Sequence, residues 1–75
     1  SQGRVDLTIK TDRYIYVMEF KLNDSVEDAM QQIDEKQYAL PFAVDSRKLL
    51  KVAVNFCSKK RNIDKWLVKE CIVSE

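Results

Sequence analysis

Glu19 and Lys21 stand two residues apart in the most strand-like stretch of the chain, Tyr-Ile-Tyr-Val-Met-Glu-Phe-Lys at residues 14–21. Side chains i and i+2 of a strand share a face, so a carboxylate and an ammonium project side by side. Charged side chains are seldom buried without a reason. A second carboxylate, Asp6, lies in the alternating stretch at residues 3–11. If a two-residue turn at Asp12-Arg13 joins the two strands, paired residue numbers sum to 25 and Asp6 faces Glu19. Facing carboxylates repel unless a cation sits between them, which points to a hard-metal site built from oxygen ligands. Lys21, one strand step away, could then hold a phosphate oxygen or an attacking water, stabilising charge that develops in phosphodiester cleavage. A one-residue slip in register would turn Asp6 to the other face and remove the site. The competing reading of Glu19 and Lys21 is a structural ion pair at the sheet margin.

The elements that must position these groups follow from hydropathy patterning. Val5, Leu7 and Ile9 alternate as in a half-buried strand, and residues 14–21 read as a central strand covered on both faces. Ser25 and Asp28 approximate a capping box, and Val26, Ala29, Met30, Ile33 and Leu40 keep helical spacing until Pro41. The pattern predicts a helix over residues 25–39. Residues 48–56 alternate again, residues 58–62 form a polar loop, and a last strand carries Trp66, Val68, Glu70 and Ile72 on one face. The order is strand, strand, helix, strand, strand, an α+β (α/β) architecture with a mixed sheet.

Length and composition narrow the classes. Seventy-five residues, 45% apolar with a net charge of +1, make one small domain at residues 1–75. Such a balance excludes a polybasic tail and an acidic disordered segment. No apolar run reaches the roughly 18 residues of a membrane span. With no histidine there is no imidazole base or ligand, so catalysis must use carboxylates, lysines or a metal. Cys57 and Cys71 form no C-x-x-C pair, and both lie in apolar runs. They read as unbridged core thiols, in keeping with a cytoplasmic location.

Asp6, a gap of twelve residues, Glu19-x-Lys21 and then a helix bearing Gln32 together resemble the PD-(D/E)xK nuclease superfamily. Gly3-Arg4-Val5-Asp6-Leu7, Tyr16-Val17-Met18-Glu19-Phe20-Lys21, Ala29-Met30-Gln31-Gln32-Ile33, Tyr38 and Val54-Asn55-Phe56 sharpen the likeness. They resemble the nuclease-like C-terminal module of a family of bacterial ATPase proteins. The resemblance implies a restriction-endonuclease-like core using Mg2+ or Mn2+. Asp6 and Glu19 would be metal ligands, the backbone carbonyl of Phe20 a third, and Lys21 the catalytic lysine. Gln32 and Tyr38 resemble a glutamine–tyrosine pair on the helix. Six residues turn a helix through about 240°, so those two share a face only if the helix ends first; Lys36, four residues after Gln32, is better placed. The core would lack its opening helix, which implies a fragment of a longer chain, itself a poor enzyme.

Residues 47–65 carry Arg47, Lys48, Lys51, Lys59, Lys60, Arg61 and Lys65 against the single acid Asp64. A groove of that sign favours a phosphate backbone, and Lys59, Lys60 and Arg61 join Lys36 and Tyr38 as candidate nucleic-acid contacts. The alternative is a solvated loop. The expected substrate is DNA, with RNA not separated from it by sequence. The expected partners are an ATPase domain of the same longer chain and a second copy covering exposed sheet surface. The rival function is a non-catalytic nuclease-like module for docking or assembly.

Overall fold

The computed structural model describes residues 6–71. Its elements are β1 (Leu7–Lys10), β2 (Tyr14–Leu22), α1 (Val26–Glu35), β3 (Lys48–Cys57) and β4 (Asn62–Glu70), with a 3-10 turn at Leu40–Phe42. The four strands form one mixed sheet in the order β1-β2-β3-β4. Both hairpins are antiparallel, and the central pair β2–β3 is parallel. A parallel pair needs a crossover, which α1 supplies. This is the α+β order the sequence predicts, although residues 3–5 of the expected first strand lie outside the described residues.

The turn between β1 and β2 is closed by Thr11. Its N–H donates to the Tyr14 carbonyl at 2.8 Å, and its Oγ1 accepts from the Tyr14 N–H at 2.9 Å. That leaves two residues at the tip and fixes the register from Lys10↔Ile15 to Leu7↔Met18, each pair summing to 25. Asp6, one step beyond Leu7, therefore continues toward Glu19.

The helix begins as its sequence suggests and stops earlier. Ser25 Oγ accepts from the Asp28 N–H at 3.0 Å. The reciprocal half of a capping box is replaced by Asp24, whose carboxylate takes the Ser25 N–H at 2.8 Å. At the other end α1 closes at Glu35 rather than at residue 39. Gln37 turns left-handed at φ 55°, the Gln37 N–H reaches the Asp34 carbonyl, and the Tyr38 N–H reaches the Ile33 carbonyl at 3.1 Å. This is a Schellman closure, with Tyr38 brought back onto the side chain of Ile33. Leu40, read as part of the helical stripe, is left exposed.

The core is the layer between α1 and one sheet face. Val26, Ala29, Met30 and Ile33 of α1 cover Ile15, Val17, Leu49 and Ala53, with Tyr38 closing one end. Ile15, Val17 and Ile33 are fully buried, each contributing about 1.5–3 kcal/mol. Ile33→Ala should cost about 2–5 kcal/mol, because it empties the centre of the layer.

The second sheet face is apolar and open. Leu7, Ile9, Phe56, Trp66 and Val68 are exposed, and Tyr16, Met18, Phe20, Leu50 and Val52 between them are half-buried. The expectation that β2 is covered on both faces is corrected among the described residues: β2 is central, but only its α1 side is covered. Cys57 and Cys71 are free, at opposite ends of the β3–β4 hairpin. No helix among the described residues is long and apolar enough to cross a membrane.

Candidate active site

Glu19 follows Ile15 and Val17 on the face of β2 that α1 covers, and it is 2% exposed. Its Oε1 is buried with no hydrogen-bond partner. Burial, then the neighbouring Asp6 charge, push the Glu19 carboxyl above its usual 4.5, while Lys21 pulls it down. A buried carboxylate oxygen without a donor costs free energy, which the Lys21 charge offsets only in part.

Asp6 reaches the same place from the edge. Its Oδ2 accepts the Phe20 N–H at 2.8 Å, which ties the entry to β1 onto the far end of β2. In an extended strand a residue's N–H and C=O point to the same edge, so the Phe20 carbonyl also faces the Asp6 side. The described β1–β2 pairing runs from Lys10↔Ile15 to Leu7↔Met18.

Lys21 is the next residue on the Glu19 face and is half-buried. Its Nζ donates to Gln32 Oε1 at 2.8 Å, joining β2 to the second turn of α1. Glu19 and Lys21 are not within ion-pair distance, so the structural ion-pair reading fails at its contact. Opposite Lys21 on β3 is Asn55, 5% exposed, whose Oδ1 accepts the Asp24 N–H at 2.8 Å and pins the entry to α1. In the sequence Val54-Asn55-Phe56 marks only the likeness to the superfamily, and nothing local to it signals that Asn55 holds the helix entry.

The structure thus brings Asp6, Glu19, Phe20, Lys21 and Gln32 together where β1 and α1 begin. A divalent cation fits this donor set: two carboxylates, one holding an orphaned oxygen, and a peptide carbonyl turned the same way. The described residues contain no cluster of three or more His, Cys, Asp or Glu side chains, so any cage would need backbone or solvent oxygens.

The expected nucleic-acid contacts are scattered. Lys36 caps α1, exposed, one turn beyond Gln32. Tyr38 is 6% exposed, and the Schellman closure makes its ring part of the core rather than of a binding surface. Lys59, Lys60 and Arg61 form the tip of the β3–β4 hairpin, where Lys60 is held by Asp64 at 3.0 Å. Arg47, Lys48 and Lys51 are paired with Asp45, Glu70 and Asp34. The basic run of residues 47–65 is therefore not one cationic groove, because four of its seven charges already face a carboxylate.

An antiparallel hairpin bearing an aspartate and a Glu-x-Lys, followed by a crossover helix into a parallel strand, is a nuclease-like arrangement. A family model of the PD-(D/E)XK nuclease superfamily matches residues 1–66. The chain belongs to that superfamily. No curated protein and no solved structure matches it.

Proposed function

We propose that this chain is a divalent-metal-dependent phosphodiesterase module acting on DNA, within a larger cytoplasmic protein that also carries an ATPase domain. The observation that carries the reading is the buried, unpartnered Glu19 oxygen beside Asp6, with Lys21 on the same face. Asp6, Glu19 and the Phe20 carbonyl would hold Mg2+ or Mn2+. When bound, the cation supplies Lewis acidity toward water and a phosphoryl oxygen. Lys21 places a positive charge where negative charge gathers on the phosphate, and Gln32 fixes its ammonium. Lys36 is a candidate backbone contact; the hairpin tip at Lys59, Lys60 and Arg61, where Lys60 is paired with Asp64, is the rival to it. RNA remains the alternative substrate, because phosphate contacts do not separate the two.

A cleavage assay on supercoiled and linear DNA with manganese, magnesium or EDTA tests the reading. It expects metal-dependent nicking that is lost in Asp6→Ala, Glu19→Ala and Lys21→Ala. Cleavage that persists in all three variants would contradict it.

One observation favours a second function, a non-catalytic docking module: the open apolar face of the sheet. The 32 strand residues, each covering about 3.3 Å by 4.8 Å, give roughly 500 Å² per molecule. Two such faces together reach the roughly 1,000 Å² of a specific interface, and a face with so little charge does not repel its own copy. We assign a second copy of this chain to it.

A further inference from the structure

β1 and α1 run in the same direction. The parallel pairing of β2 and β3 sends α1 back along β2, and β1 is antiparallel to β2. Both elements leave the Asp6–Glu19–Lys21 end together, and both finish on a lysine. Lys10 is the last residue of β1, and Lys36 is the C-cap of α1.

Lys10 shares the face of Asp6, four residues and about 13 Å further along the strand. Its ammonium lies over the Phe42 ring, 5.2 Å from the centroid, which fixes where the charge sits. Lys36 lies about 6 Å past Gln32 on the same side of the helix. Neither ammonium has a carboxylate within ion-pair distance among the described residues. Asp45, the acid close enough to feel Lys10, is held by Arg47 at 2.9 Å. The end from which β1 and α1 both start is anionic, with Asp24, Glu27 and Asp28 around the first turn of α1.

We infer that the strip of sheet between the edge strand β1 and α1 is the track of a phosphodiester backbone, which leaves the carboxylate pair toward Lys36 and Lys10 and away from the acidic turn. The inference rests on the nucleic-acid reading above and gives it a direction. A rise of about 3.4 Å per phosphate along a duplex puts Lys36 about two steps, and Lys10 about four, from the reacting phosphate. The hairpin tip at Lys59 and Arg61 lies beyond β3 at the acidic end and is off this track.

Binding of a labelled random-sequence DNA duplex, in EDTA and across a sodium chloride series, tests the direction without requiring cleavage. Lys10→Ala and Lys36→Ala should each lower the slope of log affinity against log salt by about one, and the double variant by about two. Lys10→Arg and Lys36→Arg should restore the wild-type slope, which a folding defect would not do. The double variant Lys59→Ala/Arg61→Ala should leave it unchanged. Binding by wild type with a slope that falls only on loss of Lys59 and Arg61 overturns the track but keeps the nucleic-acid reading. No binding by wild type, even at the lowest salt, overturns both.

Discussion

The Lys21 ammonium donates to Gln32 Oε1 at 2.8 Å, so the end of a sheet strand is tied to the second turn of the helix that crosses over it. Lys21 could otherwise sample many rotamers, and the bond selects one that stays beside Glu19. Gln32→Ala should then lower cleavage by about 10–100-fold, the usual effect of removing a group that orients a catalytic one. Because Gln32 is only half-buried, the melting temperature should hardly move. Kinetics with melts on the same preparation check this. Full activity in Gln32→Ala would show that the bond does not position Lys21.

Lys21→Ala should go further. Loss of one preorganised charge costs about 10²–10³ in rate. Binding of manganese should survive, since an ammonium is not an oxygen ligand, and single-turnover rates with separately measured metal affinity distinguish the two effects.

The raised Glu19 carboxyl gives a pH signature. The folded chain keeps that proton to higher pH than the unfolded chain does. Stability is therefore greatest below the unfolded value and falls as pH rises through the folded one. Glu19→Gln removes this fall, so in EDTA it should melt above wild type at neutral pH, with the two curves meeting in acid. Melts from about pH 4 to pH 8 read it directly, and a variant less stable at neutral pH would mean that the carboxylate is already satisfied.

Much of this geometry is legible in residue order, and the rest is not for physical reasons. The Asp12-Arg13 turn fixed a register that one could count, because strand pairing has a strict period and a two-residue loop leaves no slack. Helix entry at Ser25 is a local signal and was readable too. The helix exit was not: Gln37 takes a left-handed conformation usually given to glycine or asparagine, and a Schellman closure on a glutamine has no residue signature. Tyr38 consequently reads as a surface contact, whereas the closure folds it into the core. The basic run misled for a different reason, since Asp34, Asp45 and Glu70 come from other parts of the sequence to neutralise it.

That exit can be tested by itself. Gln37→Gly should raise stability by about 0.5–1 kcal/mol, since a left-handed residue with a Cβ costs about 1–2 kcal/mol and glycine returns part of that in chain entropy. Chemical denaturation gives the value, and destabilisation would mean that the Gln37 side chain contributes contacts that outweigh its backbone.

The open sheet face is where the proposed second copy would sit. The wild-type chain should sediment as a dimer, and Trp66→Glu with Val68→Lys should make it a monomer with an unchanged fold, both positions being exposed. A wild-type monomer at high concentration would assign the face to another partner.

The central claim is that Asp6 and Glu19 form a divalent-metal site, and calorimetric melting with and without manganese tests it most directly. Wild type and Lys21→Ala should both gain melting temperature on adding manganese, while Asp6→Ala and Glu19→Ala should gain none at the same concentration. If neither wild type nor any variant responds to a divalent ion, the site is not a metal centre and the docking function replaces the nuclease.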